Sequence, residues 1–595
     1  MTRDGKRARS GPEARYDRVN GDRLMADVEA LARWVRLSGT PEEREAAEYV
    51  RGQLRAAGCK TQVLMHDAYI SLPGPASLTM TAGGEGYEVP CVTHSFAAST
   101  GPEGVEAPAA YAAAGSDAER EADVRGRIAV IEGLARPDRV RSAQTSGAAG
   151  LVFLNHDPFV HEMIVSTVWG SPPADAMDRM PRVPVVSVSG RDAGRVRDAV
   201  KAGNARIRIT ASVDTGWRKT PIVIGDLPGA AEDTFVLFAG HLDSWHRGAM
   251  DNGTANATML EVARVMRGVP RYRGIRFAFW SGHSHGRYSG STWYADNHWD
   301  ELNARCVAHV NVDSVGGRGA VINRHGYAMP ETNGIIASVI RAQVGGGFEG
   351  SRVGRMGDQS FLGIGVPSLL MDISEQRGDS TEASRDFSAF SGGSTGGLGW
   401  WWHTTEDLPD KIDPALLVRD CRIYLGIIHT LATSAVLPLD YTATARAWFR
   451  TLQDLRRRAG KAVDLRPTLS AAARLVKAAA ALERRARALR ARPDRSAVRQ
   501  MNAGLMALGR TLIPVDYTGA GRFNHDPAVT PADPPHLAAL RAFGAASGDA
   551  AKHLAVRAVR DLNAVRHALN AAVDAAEDAV KVARARPPAP RRRRA

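Results

Sequence analysis

Between residue 234 and about residue 372, the chain alternates apolar segments of strand length with segments of helical periodicity. The strand-length segments read TFVLFAG, GIRFAFW, CVAHVNVD and VPSLLMD, and they are apolar almost throughout. Strands that are apolar on both faces are typical of a parallel sheet with helices packed against each side. The pattern therefore predicts an α/β domain with a mostly parallel sheet sandwiched by helices.

The chain before this sheet predicts two helices and a small inserted domain. We expect residues 1–18 to be disordered because they are polar, and residues 21–58 to form two helices because their apolar positions recur at helical spacing. Residues 60–64 then predict a short edge strand that leads into Gly- and Pro-rich loops. Between residues 88 and 215, an order of strand, helix and further strands predicts a small insertion of βαβ type.

After residue 437 the chain is rich in Ala, Leu and Arg at helical spacing, which predicts a C-terminal helical domain suited to dimerisation. The final RPPAPRRRRA predicts a tail. The predicted domains are a disordered N-terminus at 1–18, a catalytic domain at 19–87 and 216–436, an insertion at 88–215, a helical domain at 437–586 and a basic tail at 587–595.

Charge and cysteine content narrow the class of protein. The formal net charge of +13 comes largely from Arg-rich helical stretches after residue 450 and from the tail, so it predicts a solvated helix face and no nucleic-acid partner. Nowhere do 18 consecutive apolar residues occur, so no membrane partner is expected. The four cysteines form no C-x-x-C pair and are expected to be free thiols. No apolar run follows the basic N-terminus, and we expect a cytoplasmic protein.

Polar side chains with metal-binding chemistry follow the predicted strands. The candidates are His241 at the end of the first strand, Asp243 two residues later, Asp251 before the next helix, Asp313 after a later strand and His403 after three tryptophans. In open α/β sheets, ligands bind at the carboxyl ends of the strands. Imidazole nitrogen and carboxylate oxygen suit zinc, and a nearby carboxylate such as that of Asp243 can orient a metal-binding imidazole. The sequence therefore predicts a metal site at this edge of the sheet.

The motifs H-x-D-S-W-x-x-G-A-x-D-N-G, N-x-D-x-x-G and H-T-x-x-D-x-x-D resemble those of the double-zinc aminopeptidase and glutamate carboxypeptidase family over about residues 20–435. The insertion resembles the protease-associated domain of such metallopeptidases. The resemblance implies a zinc-peptidase-like fold that holds two divalent metal ions, with zinc as the expected metal. It implies that Asp251 bridges the two metals, that Asp243 supports His241, and that the Asp251–Asn252 peptide bond is cis. The implied metal ligands are His241, Asp251, Asp313 and His403.

The sequence departs from the family where a Glu-Glu pair is expected. In the family the first Glu is the general base and the second is a metal ligand, whereas this chain reads WSGHSHGRYSGS. One alignment puts His283 and Ser284 at the two positions, and another puts Ser284 and His285 there. Because residues two apart in an extended segment point the same way, both imidazoles are expected to face one metal pocket. We hypothesise that one of them, with His285 as the expected ligand, binds a metal while the other transfers protons.

Other residues near these motifs have weaker signals. Arg287 and Tyr288 are candidates for stabilising an oxyanion or holding a carboxylate. Asp358 matches a family segment near the pocket, and we expect it to be structural. The tryptophans at 400–402 are expected to form the wall of an apolar subsite or to pack in the core. The Gly-rich residues 391–399 are expected to form a loop.

The leading hypothesis is a metal-dependent hydrolase of a peptide or amide C–N bond, either a metallopeptidase of aminopeptidase or carboxypeptidase type or an amidohydrolase. It would act on small peptides or amino-acid-derived substrates, and a homodimer is expected. Two alternatives stay open. One is a metal-dependent lyase or cyclase, because the Glu base is missing, and the other is a catalytically inactive, receptor-like binding protein.

Overall fold

The computed structural model describes residues 12–112, 123–323, 325–371, 373–390, 395–459, 462–529 and 533–583. The strands are β1 (Lys60–Ala82), β2 (Glu85–Val89), β3 (Val92–Thr93), β4 (Val105–Ala112), β5 (Ile128–Glu132), β6 (Gly150–Leu154), β7 (Val185–Val188), β8 (Arg206–Leu227), β9 (Phe235–His241), β10 (Gly274–Trp280), β11 (Cys306–Val312), β12 (His325–Tyr327), β13 (Glu349–Ser351) and β14 (Ser368–Met371).

The helices are α1 (Gly21–Leu31), α2 (Pro41–Ala56), α3 (Pro137–Thr145), α4 (Gly190–Lys201), α5 (Ala255–Met266), α6 (Ser289–Asn297), α7 (Trp299–Arg305), α8 (Asn333–Val344), α9 (Arg385–Phe390), α10 (Pro414–Thr433), α11 (Tyr441–Ala459), α12 (Arg466–Ala491), α13 (Arg495–Tyr517), α14 (Ala538–Ala542) and α15 (Gly548–Val582). Capping residues fix several of their starts. The Thr40 side chain accepts a hydrogen bond from the amide of Glu43 before α2, and Asp413 accepts from Ala415 and Leu416 before α10.

The central sheet is parallel over its middle strands. Its order is β14–β11–β9–β10–β8, and β9 pairs in parallel with both β10 and β11. β8 alone runs antiparallel, against β10. All residues of β9 and β11 are buried, because helices cover both faces of the sheet. The predicted mostly parallel sheet sandwiched by helices is confirmed.

A long ribbon of two antiparallel strands connects the central sheet to the insertion. β1 and β8 pair from Lys60 opposite Asp226 to Thr81 opposite Arg206. The prediction of a short edge strand followed by loops is wrong, because the strand continues through Pro73. The register shifts between Pro73 and Ala76, and a strand at the edge of a sheet tolerates proline there.

The strands of the insertion continue the same sheet, because β4 pairs with β8, but they have a core of their own. Strands β4, β5, β6 and β7 are parallel, and β3 adds to β7 in antiparallel orientation. Side chains from the far part of the ribbon, including Leu78 and Met80, pack with Val196 of α4 in this core. The far part of β1 therefore shares the core of the insertion, and the domain boundary at residue 88 stays a prediction.

The C-terminal helices share their core with the central sheet. One hydrophobic cluster extends from Leu24 in α1 through Phe238 in β9 to Leu475 in α12 and Leu569 in α15.

At the other end of the chain, Pro12–Arg18 forms a 3₁₀ helix whose Tyr16 carbonyl accepts a 3.1 Å hydrogen bond from Nε of Arg422.

The expected disorder is therefore wrong for residues 12–18. Residues 1–11, the predicted tail at 587–595 and part of the Gly-rich loop (391–394) lie outside the described residues. None of the described helices is both long and apolar enough to cross a membrane.

Candidate metal centre

Three predicted ligands meet at the carboxyl edge of the central sheet. His241 is the last residue of β9, Asp313 directly follows β11, and the two strands are parallel neighbours. Asp251 lies in a kinked segment (Ala249–Thr254) that leads into α5, and its own backbone is not helical. Nε2 of His241 lies 3.0 Å from Oδ1 of Asp251 and 3.6 Å from Oδ1 of Asp313. The structure thus brings these three donors together, as a site at the strand ends requires.

The Asp251 carboxylate lies between two imidazoles. Its Oδ1 faces His241, and its Oδ2 lies 3.0 Å from Nε2 of His403. This is the placement expected of a bridging ligand. The peptide bond between Asp251 and Asn252 is cis, as the family resemblance implied.

Two buried charged residues hold the loop that carries Asp251. Asp407 accepts hydrogen bonds from the amides of Met250 (2.8 Å) and Asp251 (2.9 Å). Nη2 of Arg36 donates to the carbonyl of Gly248 (2.9 Å). Burial raises the pKa of Asp407 to about 7 and lowers the pKa of Arg36 to about 10. These contacts fix the main chain just before the carboxylate that faces both histidines.

His403 is held by the inserted domain. Its Nδ1 donates to the carbonyl of Glu162 (2.6 Å), and the amide of Glu162 donates to the carbonyl of His403 (3.1 Å). The Trp402 ring stacks on the imidazole with a centroid distance of 3.6 Å. His403 has a φ of 57°, a left-handed conformation that these contacts maintain. Sequence reasoning missed Glu162 because its main chain makes the contact and leaves no side-chain signature.

Three imidazoles have the Nε2 lone pair available to bind a metal. Nδ1 of His241 donates to the carbonyl of Asp243 (2.8 Å), Nδ1 of His403 donates to a carbonyl, and Nδ1 of His283 donates to Oδ2 of Asp358 (2.8 Å). A hydrogen bond donated by Nδ1 leaves the lone pair on Nε2. This is the arrangement that metal-binding histidines use to fix their tautomer and orientation.

The structure separates the two histidines of the HSH segment. Residues 281–288 form turns and not an extended segment, so the expectation that both rings face one pocket is wrong. The His283 ring stacks on His241 with a centroid distance of 3.8 Å and an interplanar angle of 15°. Donor atoms of His241, His283 and Asp313 all lie within 4.8 Å of one another. His283 is therefore the member of the pair that reaches the candidate site.

His285 packs inside the protein. Its Nδ1 lies 3.3 Å from Oγ of Ser38, and its ring centroid lies 4.7 Å from that of Trp245. Burial lowers the pKa of His285 to about 4. The turn at residues 281–288 directs the ring toward these contacts, so the structure corrects the expected role of His285 as a metal ligand.

The Asp243 carboxylate positions the turn that carries His283. Its Oδ2 accepts hydrogen bonds from the amide of Ser284 and from Oγ of Ser38, both at 2.8 Å, and its Oδ1 accepts from the amide of His283 (3.2 Å). Nδ1 of His241 is 3.7 Å from this carboxylate and bonds to the Asp243 carbonyl instead. The expected support of His241 thus comes from the main chain, and Asp243 is a positioning residue.

The neighbouring imidazoles and carboxylates of the candidate centre shift the pKa values of His241 and Asp251. Burial alone lowers the pKa of His241, but the carboxylates of Asp313 and Asp251 raise it well above its usual value. Burial alone raises the pKa of Asp251, but the neighbouring imidazoles of His241 and His403 hold it well below its usual range. The buried carboxylate is thus stabilised by the imidazoles on either side of it.

This donor set fits a divalent metal ion. Nε2 of His241 is buried and has no hydrogen-bond partner of acceptable geometry among the described residues, although two carboxylates are close to it. His241 and His283 supply nitrogen, while Asp251 and Asp313 supply oxygen, which is a set suited to tetrahedral zinc. His403 lies on the far side of Asp251 and forms a second, smaller donor group with it.

A cavity of about 490 Å³ opens onto these donors. Its volume and mixed lining are those of a small-molecule site. Of the tryptophans at 400–402, Trp402 lines the cavity, whereas Trp401 is fully buried. The candidate donors in its wall are Asp251, His283, Asp313 and His403, and other lining residues include Arg287, Tyr288, Arg355, Phe387 and Leu398.

The inserted domain and the C-terminal region complete the cavity wall. Met163 belongs to the insertion, and Val529 belongs to the chain after α13. The amide of Val529 donates to the carbonyl of Arg355 (3.2 Å), and the preceding Ala528 amide donates to the carbonyl of Thr167 (2.9 Å). Three distant parts of the sequence therefore meet at one opening.

The fold and its donor group define a domain of metallopeptidase type. Residues 223–427 match the model of peptidase family M28, and residues 96–195 match the PA domain model. The chain therefore carries a domain of peptidase family M28 together with a PA domain, which confirms the family suggested by its motifs.

Curated relatives match part of the chain. It is 26% identical over 361 residues to a probable glutamate carboxypeptidase of Zea mays, covering 49% of this chain and 50% of that protein. It is 23% identical over 383 residues to aminopeptidase YwaD of Bacillus subtilis, covering 63% of this chain and 77% of that protein. The chain spans about half the length of the curated relatives it matches first.

Solved structures share the fold. A zinc aminopeptidase from Bacillus subtilis superposes with a TM-score of 0.53 at 19% identity, covering 70% of this chain and 96% of that one. A peptidase M28 precursor from Shewanella amazonensis gives a TM-score of 0.56 at 19% identity, covering 71% and 96%. The predicted zinc-peptidase-like fold is confirmed.

Proposed function

We propose that the protein is a metal-dependent hydrolase of peptide or amide C–N bonds. The observation that carries this proposal is the convergence of three imidazoles, each fixed through Nδ1, and two carboxylates at one edge of the sheet. All of these groups except His241 line one cavity. The M28 domain and relatives named aminopeptidase and glutamate carboxypeptidase support the reaction class. When bound, a divalent metal ion supplies Lewis-acid polarisation of a carbonyl and makes water more acidic.

The two expected metal positions are unequal in this proposal. His241, Asp313, His283 and Asp251 offer four donors to the first position, which suits zinc. The second position has two donors among the described residues, Asp251 and His403. His283 thus takes a ligand role that the family gives to a glutamate, and the second metal is held more weakly than the first.

Proton transfer is the step that the missing glutamates affect. With His283 used as a ligand and His285 packed against Ser38 and Trp245, neither imidazole of the turn is left facing the cavity as a base. A positioned general base typically contributes about 10²–10⁴-fold to a rate. We therefore propose turnover that is lower by this order than in an otherwise similar site with a carboxylate base.

The cavity lining favours a substrate with an apolar side chain and an anionic or carbonyl group. Phe387, Leu398 and Trp402 form an apolar part of the wall. Arg287 is buried in another part of the wall, and its Nη2 donates to the carbonyl of Ile164. The guanidinium of Arg287 can face a substrate oxygen with its remaining donors. A short peptide or an amino-acid amide combines both features.

Metal content per chain tests the proposal together with hydrolysis of a panel of peptides and amino-acid amides. We expect two zinc ions in the wild type, loss of the tightly bound ion in His241→Ala, and loss of the weakly bound ion alone in His403→Ala. His283→Ala should weaken the tight position by more than the about 10–100-fold that loss of a residue supporting a ligand costs, and it should abolish detectable hydrolysis.

A His285→Asn variant is the matched control, because it changes an imidazole of the same turn that does not line the cavity. It should keep both metals. A wild-type protein that binds no metal and hydrolyses none of the panel would refute the proposed function.

A further inference from the structure

A second group of buried histidine and aspartate side chains lies beside the metal centre. Asp157 and His161 belong to the inserted domain and Asp386 belongs to α9, and their donor atoms lie within 4.8 Å of one another. Each of the three residues is at most 2% exposed. Unlike Nε2 of His241, the polar atoms of this group have hydrogen-bond partners, so the group has a structural role and no free donor set.

The carboxylates of Asp157 and Asp386 each accept hydrogen bonds from main-chain amides around the other residue. Asp157 accepts hydrogen bonds from the amides of Arg385 (3.0 Å) and Asp386 (3.1 Å) and from Oγ of Ser384 (2.6 Å). Asp386 in turn accepts from the amides of His156 (2.7 Å) and Asp157 (3.0 Å). This reciprocal arrangement docks the loop after β6 onto the start of α9 and satisfies both buried charges.

His161 extends this contact to the metal centre. Its Nε2 lies 3.0 Å from Oδ2 of Asp157, and its Nδ1 donates to the carbonyl of Trp402 (2.6 Å). The next residue, Glu162, makes the two main-chain hydrogen bonds that hold His403. Residues 161 and 162 therefore make three hydrogen bonds with residues 402 and 403. Asp157 holds the His161 side chain in this contact, and the Glu162 carboxylate lies 3.2 Å from Nε2 of His246.

We propose that His161 is a positioning residue for His403 through its hydrogen bond to the carbonyl of Trp402, so that the inserted domain sets the affinity of the weaker metal position. The inference rests on the proposed function for the metal itself. His403 has a left-handed backbone, and its ring direction depends on the Glu162 carbonyl. A shift of residues 161–162 would therefore turn Nε2 of His403 away from Asp251. The tight position, built from the central sheet and the turn with His283, would not move.

Two substitutions of His161 separate its two hydrogen bonds. The amide of glutamine reaches as far as Nε2 of histidine, so His161→Gln keeps the contact with Asp157 and loses the one with Trp402. The shorter asparagine amide reaches as far as Nδ1, so His161→Asn keeps the contact with Trp402. Zinc titration of the metal-free full chain, in competition with a chromophoric chelator, measures both dissociation constants.

We expect His161→Gln to raise the dissociation constant of the weaker position about 10–100-fold, with the tighter position unchanged. His161→Asn should stay within about threefold of the wild type. Thermal unfolding in EDTA gives the stability of each variant independently of metal.

Wild-type affinity in His161→Gln, or an equal loss in both variants at matched stability, would overturn the inference. Absence of zinc from the wild type would overturn the proposed function and this inference together. The two failures are therefore distinguishable.

Discussion

Buried carboxylates in this protein have opposite protonation behaviour because they have different partners. Asp251 lies between two imidazoles, which hold its pKa well below the usual range. Glu331 is equally buried, but its carboxylate accepts one hydrogen bond, from Oγ1 of Thr444 (2.7 Å), and its Oε1 has no partner among the described residues. Burial therefore raises the pKa of Glu331 to about 7.

The raised pKa of Glu331 predicts that its ionisation lowers the unfolding free energy of the protein as the pH rises. Because the folded protein holds the Glu331 proton more tightly than the unfolded chain, stability is highest below the unfolded pKa of 4.5 and falls as pH rises toward 7. Relative to Glu331→Gln, the wild type should lose about 3 kcal/mol of unfolding free energy across that range. Denaturant unfolding of both proteins at pH 4 and pH 8, with EDTA present, measures the change. A wild-type-minus-variant difference that stays constant with pH would contradict it.

The sequence predicted some members of the site and missed others for a physical reason. His241 and Asp313 could be predicted because they follow apolar strands, and polar residues at the ends of parallel strands meet at one edge. Glu162 could not, because it acts through its main chain. Asp358 was expected to be structural, and its contact with Nδ1 of His283 depends on a turn that no periodicity describes.

At the scale of secondary structure, the turn between β10 and α6 decides which histidine reaches the metal centre. Gly290, near the start of α6, packs directly against the main chain of Ser281 at the start of this turn. A Cβ at Gly290 would lie 2.3 Å from the carbonyl oxygen of Ser281. The helix can approach the turn this closely only because residue 290 has no side chain, and this approach places His283.

Gly290→Ala should therefore displace the turn. We expect a loss of about 1–3 kcal/mol of unfolding free energy and weaker binding at the tight metal position, because a backbone clash must be relieved. Gly334→Ala in α8 is the matched control, since its new Cβ meets no atom within 4 Å. That variant should gain up to about 1 kcal/mol from helix propensity. Denaturant unfolding and zinc titration measure both effects, and equal stability of the two variants would refute this account.

At the scale of the whole molecule, the C-terminal helices belong to the same core as the metal-binding domain. The hydrophobic cluster that includes Phe238 of β9 also contains side chains of α11, α12, α13 and α15. The sequence predicted a helical domain after residue 437 but not this shared core, because periodicity shows that a helix has an apolar face and not what covers it. The insertion differs, since its two clusters are largely its own.

A chain ending at residue 436 should therefore fail to fold as a stable unit. Removing the C-terminal helices would expose apolar side chains that they cover, including Met329, Val353 and Leu362, which pack with Ile513 and Tyr517. Exposed apolar area of this kind promotes aggregation. We expect the truncated chain to be largely insoluble, and the full chain to lose central-sheet and C-terminal structure in one transition. A soluble truncated chain with an unchanged unfolding temperature would show that the cores are independent.

The β1–β8 ribbon makes the inserted domain a side branch of the chain. The main chain leaves the central sheet and returns to it on neighbouring strands, with Ile70 opposite Gly216. A designer could cut the branch at that pair and join the ends with a tight turn without altering the order of the central strands. The cut would also remove Glu162, whose main chain makes two hydrogen bonds with His403. The inserted domain could thus be removed without changing the order of the central strands, but the proposed metal site needs it to hold His403.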